Sequence, residues 1–191
     1  MPILETPRLI LRRPEMEDAP AIYEHMQERD IAANTLLIPY PYPAGAAEEW
    51  ISRTQQAYND GEGYNFGVIL KAEDRLIGAI GLGLRTDHRR AEMGYWLGKP
   101  YWGQGYMSEA TSRLVAFAFE VLGLNRIHAS AFTRNPASVR VLEKCGMSYE
   151  GTLRGHYFKW GEFVDTALYA ITRDQYQTAH PLSGDWNIRT G

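Results

Sequence analysis

Trp102-Gly103-Gln104-Gly105-Tyr106-Met107-Ser108 lies between a segment that reads as a strand ending at Leu97 and one that reads as a helix starting near Ser108. Two glycines in such a turn let a ligand approach the backbone. The free N–H groups of a helix start, reinforced by the helix dipole, favour negative charge. A pyrophosphate suits this place, although a tight strand-to-helix turn would need the same glycines. Gly103-x-Gly105-x-x-Ser108 is close to the dinucleotide fingerprint Gly-x-Gly-x-x-Gly. That fingerprint directly follows a strand of a βαβ unit and precedes an acidic ribose ligand by about 20 residues. Here Pro100 intervenes, and residues 124–130 contain no acid. No Gly-Lys-Ser/Thr occurs, so a Walker A loop is absent.

Other chemistries lack their residues. Histidines 25, 88, 128, 156 and 180 are dispersed without a His-x-x-x-His pair, so no metal centre is expected. The single cysteine, Cys145, sits on the apolar face of a helical segment and reads as a buried structural thiol rather than a nucleophile. Composition narrows the field further. A length of 191 residues supports about one domain, and 45% hydrophobic content supplies a core. A net charge of −3 argues against a whole-surface grip on nucleic acid, which needs clustered Lys and Arg. The N-terminus lacks the pattern of a signal peptide, and no run approaches 18 apolar residues. The expectation is a cytoplasmic protein with no nucleic-acid or membrane partner.

The elements that must position the glycine turn follow from periodicity. Thr6 to Arg12 alternates as a short strand, and Ala19, Ile22, Tyr23 and Met26 form a helix face with Asp18 as its N-cap. ANTLLIPYPYP, from Ala33 to Pro43, is a proline-broken loop, followed by a second helix to Asn59. Strands at 64–70, 75–84 and 91–97 make an antiparallel meander. A long helix carries Leu114, Phe117, Ala118 and Val121 at i, i+3, i+4 spacing and stops at Gly123. A strand at 126–131, a helix at 135–145 and a hairpin of 149–154 with 163–170 complete an α+β chain. We expect a single domain over residues 1–176 and a tail over 177–191.

The order AEMGYWLGKPYWGQGYMSEA, a strand, then NPASVRVLEKCGM resembles the GNAT acetyltransferases, and within them the RimJ/RimL-type protein N-terminal acetyltransferases. The likeness runs from TPRLILRRPEMEDA to FVDTALYAITRDQY. It implies the GNAT fold: a mixed, mainly antiparallel sheet splayed between its fourth and fifth strands, helices on both faces, and acetyl-coenzyme A in the cleft. By position, Gly103, Gln104, Gly105, Tyr106, Met107 and Ser108 match the loop whose amides hold the coenzyme A pyrophosphate. Trp102 and Met107 depart from the ends of the wider family pattern, which leaves backbone cradling but puts a side-chain contact from position 102 in doubt. Trp96, Leu97 and Gly98 match the strand end that pairs with pantetheine amides, and Asn135 matches a residue near the pantetheine arm. Asn135 before Pro136 is also an ideal N-cap. Where many relatives place an acidic tyrosine, this chain has Leu142. The RimL-type likeness offers Ser138 as proton donor to the leaving thiolate, against a simple buried hydroxyl.

Transfer to an amine needs a proton acceptor, because an α-amine has a pKa of about 8 and a lysine about 10.4. Glu92, at the start of the fourth strand with Gly94 and Trp96 on the same face, is the candidate base, against a strand-end carboxylate pairing with Arg89 or Arg90. Glu109 is the weaker candidate. Thioester polarisation is expected from a backbone N–H, without a metal. The acceptor end is bordered by Tyr40, Tyr42 and RGHYFKW (154–160), with His156, Tyr157 and Asp165 as polar groups. The leading acceptor is a protein N-terminal α-amine. A small amine such as an amino acid, polyamine or aminoglycoside, or a noncatalytic acyl-coenzyme A regulator, are the alternatives. Related proteins suggest a homodimer.

Overall fold

The computed structural model describes residues 1–179 and the backbone of 188–189. Eight strands carry the sheet: β1 (Ile3–Glu5), β2 (Leu9–Arg12), β3 (Gly63–Leu70), β4 (Arg75–Arg85), β5 (Arg90–Leu97), β6 (Arg126–Phe132), β7 (Ser148–Lys159) and β8 (Glu162–Thr172). The helices are α1 (Ala19–Met26), α2 (Arg29–Ala33), α3 (Ala46–Asn59), α4 (Tyr106–Glu120), α5 (Pro136–Lys144) and α6 (Arg173–Ala179). The spatial order is β7-β8-β6-β5-β4-β3-β2-β1, with the short pair Ile188–Arg189 beyond β1. Every neighbouring pair is antiparallel except β5 with β6.

The alternation read in the sequence decides which face each strand buries. Leu9 and Leu11 of β2, Phe66 and Val68 of β3, and Ala91 and Met93 of β5 join Leu114, Val115 and Phe117 of α4 in one core. Phe117 meets Phe66 edge-on with ring centroids 6.0 Å apart, and each such ring contributes about 1.5–3 kcal/mol by leaving water. On the opposite face, Ile22 and Met26 of α1 and Ile51 of α3 pack on Ile69 and Leu76. The helices thus cover both faces of the sheet.

Four local expectations are corrected. The strand read over 6–12 is shorter, β2 alone, and an unread strand, β1, precedes and pairs with it, with Leu4 opposite Leu11. Asp18 does not cap α1 with its carboxylate, which receives both guanidinium nitrogens of Arg12 at 2.8 Å. An extra turn, α2, precedes the proline loop. The last hairpin is longer than read and turns tightly at Trp160 and Gly161, both at positive φ. As for the tail expected from residue 177, α6 continues to Ala179, and most of the remainder lies outside the described residues.

Candidate active site

β5 and β6 pair in parallel only at Arg90–Glu92 against Arg126–His128. Beyond that point β5 follows β4 and β6 follows β8, so the two inner edges diverge and leave backbone groups without a strand partner. Two neighbouring cavities, ≈ 400 Å³ and ≈ 370 Å³, occupy the opening and share Tyr95, Trp96 and Ser138 in their walls.

The larger cavity collects most of the expected cofactor residues: Trp96, Leu97, Gly103, Gly105, Tyr106, Met107, Ser108 and Asn135. Gly103 and Gly105 have φ of +76° and +81°, and no atom lies within 4 Å of a Cβ placed on Gly103. Side chains rarely adopt that conformation, and their lack exposes the amides at the start of the 15-residue helix α4. The cradle therefore fits a pyrophosphate, and the free β5 edge fits an amide-bearing arm. Two expected residues stand outside the wall. Gly98 lies against His25, whose Nδ1 would be 2.7 Å from an added Cβ. Burial lowers the His25 pKa, and its ring, beside Trp96 and Tyr101, backs the end of β5. The Gln104 side chain donates to Pro100 O at 3.0 Å instead of reaching the cavity. Trp102 lines the cavity and turns its indole N–H to Leu97 O at 2.7 Å.

The cradle is braced from β2 by a residue with no role in the sequence reading. Arg8 donates from Nη1 to Gln104 O at 3.0 Å and from Nε to Glu109 at 2.6 Å, and its guanidinium lies 4.4 Å from the Tyr106 ring centre. Thr6 Oγ1 donates to the same carboxylate. Burial works against ionisation of Glu109, but these donors hold its pKa below the ordinary carboxylate value. Glu109 is thus engaged as an anchor and not free as a base. Arg8→Ala should raise KM for acetyl-coenzyme A about three- to tenfold while kcat changes less than about twofold, because the loop is loosened without touching the reacting atoms. Steady-state kinetics at saturating acceptor tests this, and a fall confined to kcat would contradict it.

Ser138 stands at the junction of the cavities. Its Oγ is 2.8 Å from the Tyr95 hydroxyl, which also lies 3.1 Å from the Ser138 carbonyl. Burial pushes the Tyr95 phenol well above its ordinary pKa, partly offset by Ser138. It therefore stays protonated and holds the serine hydroxyl in place through this hydrogen bond, in which either oxygen can donate. Asn135 Oδ1 accepts from Ser138 N at 3.1 Å, so its capping function is realised. Leu142 is buried, and burial pushes the Cys145 thiol up to about 11, which leaves it un-ionised at neutral pH.

Glu92 lines the ≈ 370 Å³ cavity, level with His128 across the last paired rung. Burial lowers the His128 pKa, and the charge of Glu92 partly opposes that. Arg89, the alternative partner of Glu92, donates instead to Gly123 O at 2.9 Å. Of the expected acceptor border, Tyr157 reaches the wall. A register shift between Leu153 and Tyr157, where Gly155 N donates to Asp165 at 2.7 Å, immediately precedes it. His156 lies on the Tyr157 ring and outside the wall. Tyr42 is buried against Tyr23 and Tyr40 lies against Trp160, so Leu36, Leu37 and Ile38 supply the loop's contribution instead.

Comparison with known proteins decides what this cleft belongs to. Residues 8–148 match the acetyltransferase (GNAT) domain. The chain belongs to the GNAT acetyltransferase family.

The N-acetyltransferase YoaA of Bacillus subtilis, itself uncharacterized, is 38% identical over 176 residues, covering 90% of this chain and 97% of that protein. The crystal structure of spermidine N-acetyltransferase from Vibrio cholerae, in complex with CoA and spermine, matches with a TM-score of 0.77 and 26% identity. It covers 90% of this chain and 99% of that one. RimL, an alpha-N-protein acetyltransferase of a ribosomal protein solved with coenzyme A, superposes with a TM-score of 0.83 at 18% identity, over 91% and 99% of the two chains, and so shares the fold. The GNAT chain described here is therefore an acetyl-coenzyme A-dependent N-acetyltransferase. Its splay falls between β5 and β6 because the unread strand β1 precedes the first expected strand. Among the described residues no helix is long and apolar enough to cross a membrane.

Tyr95 and Arg8 went unread in the sequence. Period 2 puts Tyr95 opposite Glu92, on the face that α5 covers, and that placement alone could have suggested a partner on α5.

Proposed function

We propose that this GNAT enzyme acetylates the α-amine of a peptide or protein N-terminus. The observation that carries the reading is the charge of the acceptor cavity: among the described residues, Glu92 is the one charged side chain in its wall. A polyamine would bring two or more ammonium groups to a single carboxylate, and a free amino acid would bring a carboxylate with no cation to receive it. Leaving a charge unpaired in a partly buried site is costly. An N-terminal residue brings one ammonium group followed by neutral amides, which matches one carboxylate among Asn34, Asn65, Ser130, Tyr157 and Thr166.

In this mechanism Glu92 takes a proton from the ammonium group, directly or through water, and the freed nitrogen attacks the thioester carbon. The carbon–nitrogen bond forms as the carbon–sulfur bond breaks, and Ser138, oriented by Tyr95, donates a hydrogen bond or proton to the sulfur. The amides of Gly103 to Ser108 and the β5 edge at Trp96 and Leu97 hold the coenzyme A portion, with Asn135 beside its arm. Direct transfer fits the inert Cys145.

Thiol release with acetyl-coenzyme A against a panel tests the reading. The panel holds free N-terminal peptides, the same peptides blocked at the N-terminus with an internal lysine, spermidine, and free amino acids. Free N-termini should exceed the others in kcat/KM by about 100-fold, the scale set by an unpaired charge of a few kcal/mol. Spermidine as the best acceptor would reject it.

A further inference from the structure

Thr166 is 1% exposed, its side-chain oxygen has no hydrogen-bond partner, and it forms part of the acceptor cavity wall. It does not border the cavity that carries the glycine cradle. Its strand β8 places it opposite Phe132 of β6, while Ala167, Tyr169 and Ile171 point into the core on the other face. A threonine there is unusual, because Val has the same shape and leaves no buried hydroxyl unsatisfied. Among the described residues nothing accounts for the hydroxyl. Its position accounts for it if a ligand completes it.

We infer that Thr166 is a specificity-determining residue, whose hydroxyl hydrogen-bonds a backbone carbonyl or amide of the acceptor. The inference deepens, and rests on, the reading of the acceptor as a peptide N-terminus. Glu92 is level with His128, and Thr166 with Phe132, four residues further along β6. That is roughly 13 Å of strand. An acceptor that meets both groups is extended along the sheet face, as a peptide is, and carries a neutral polar group beyond its amine. Asn65 and Ser130 line the same cavity and can receive the remaining amide groups.

The test compares Thr166→Val and Thr166→Ser with the unaltered enzyme. Two acceptors are used: a peptide with a free N-terminus and n-butylamine, which has the amine but no carbonyl or amide. Thr166→Val should lower kcat/KM for the peptide about tenfold or more and leave n-butylamine within about twofold, so that the preference narrows. KM for acetyl-coenzyme A should not move, and Thr166→Ser should keep most of the peptide activity. Because the hydroxyl has no partner within the protein, the Val variant should melt no lower than the unaltered enzyme. A lower melting temperature with equal losses on both acceptors would make the hydroxyl structural and overturn the inference. Unchanged peptide kinetics would overturn it while leaving the peptide reading intact. Conversely, if peptides are not acetylated but an amide-bearing small amine is, the peptide reading fails. A tenfold loss on that amine in the Val variant would still uphold the role of Thr166.

Discussion

Replacing Glu92 by Gln should lower kcat on a free N-terminal peptide by about 10² to 10⁴, the range lost with a general base, while acetyl-coenzyme A binds as before. The split follows from the walls of the two cavities. Glu92 lines the acceptor cavity and is absent from the one that holds the glycine cradle. Glutamine keeps the shape and the hydrogen-bonding reach but cannot accept the proton of an ammonium group. An α-amine with a pKa of about 8 is mostly protonated at neutral pH, so the variant works only on the minor unprotonated fraction. Its activity should therefore climb as the pH rises toward 8 and beyond, narrowing the gap to the unaltered enzyme. Titration calorimetry for binding and stopped thiol release for turnover give the two readouts. Unchanged turnover at saturating peptide would remove Glu92 from the role of base. A loss that does not narrow with pH would assign it to acceptor binding instead.

The parts of this enzyme that were legible in the sequence are those set by short-range pattern. The glycine turn, the i, i+3, i+4 stripe of α4 and the alternation of β5 each depend on neighbours along the chain, and they lie where the pattern put them except for Val121, which follows the end of α4 and is exposed. The acceptor side was less legible because it is assembled across strands. Two register shifts interrupt β7: the one between Tyr149 and Gly151 adds a single residue and so reverses the period-2 assignment of every residue after it, and a second shift follows between Leu153 and Tyr157. Thr166 was unremarkable as one polar residue in an apolar strand until Phe132 was known to lie opposite. Period 2 alone sets the face of Tyr95, but its hydroxyl acquires a function only where α5 brings Ser138 to 2.8 Å. The turn α2 lies against a proline-rich loop, and its five residues are too few to show a period. Arg8 reads as a strand-edge cation, and only a contact across 101 residues makes it a brace for the cradle.

The second large effect belongs to that cradle. Gly105→Trp should weaken acetyl-coenzyme A binding by more than about 100-fold, since an interaction of several kcal/mol is removed when the pyrophosphate cannot reach the amides. Gly105 borders the cavity and has a φ of +81°, so any side chain there is strained and stands beside the site. An added Cβ would lie 3.5 Å from Arg8 Nη2, which bars an indole from folding back toward β2 without displacing the brace. The strain of a left-handed conformation costs about 1–2 kcal/mol, enough to lower the melting temperature of a chain this size by a few degrees. Gly105→Ala separates the two causes. It carries the same backbone strain with little bulk, and should show the melting shift but keep binding within about tenfold. If Trp and Ala bind equally weakly, the loop conformation rather than access is what the glycine protects. If Trp binds acetyl-coenzyme A like the unaltered enzyme, the pyrophosphate is held elsewhere, and the anchoring role of Arg8 and Glu109 falls with the cradle.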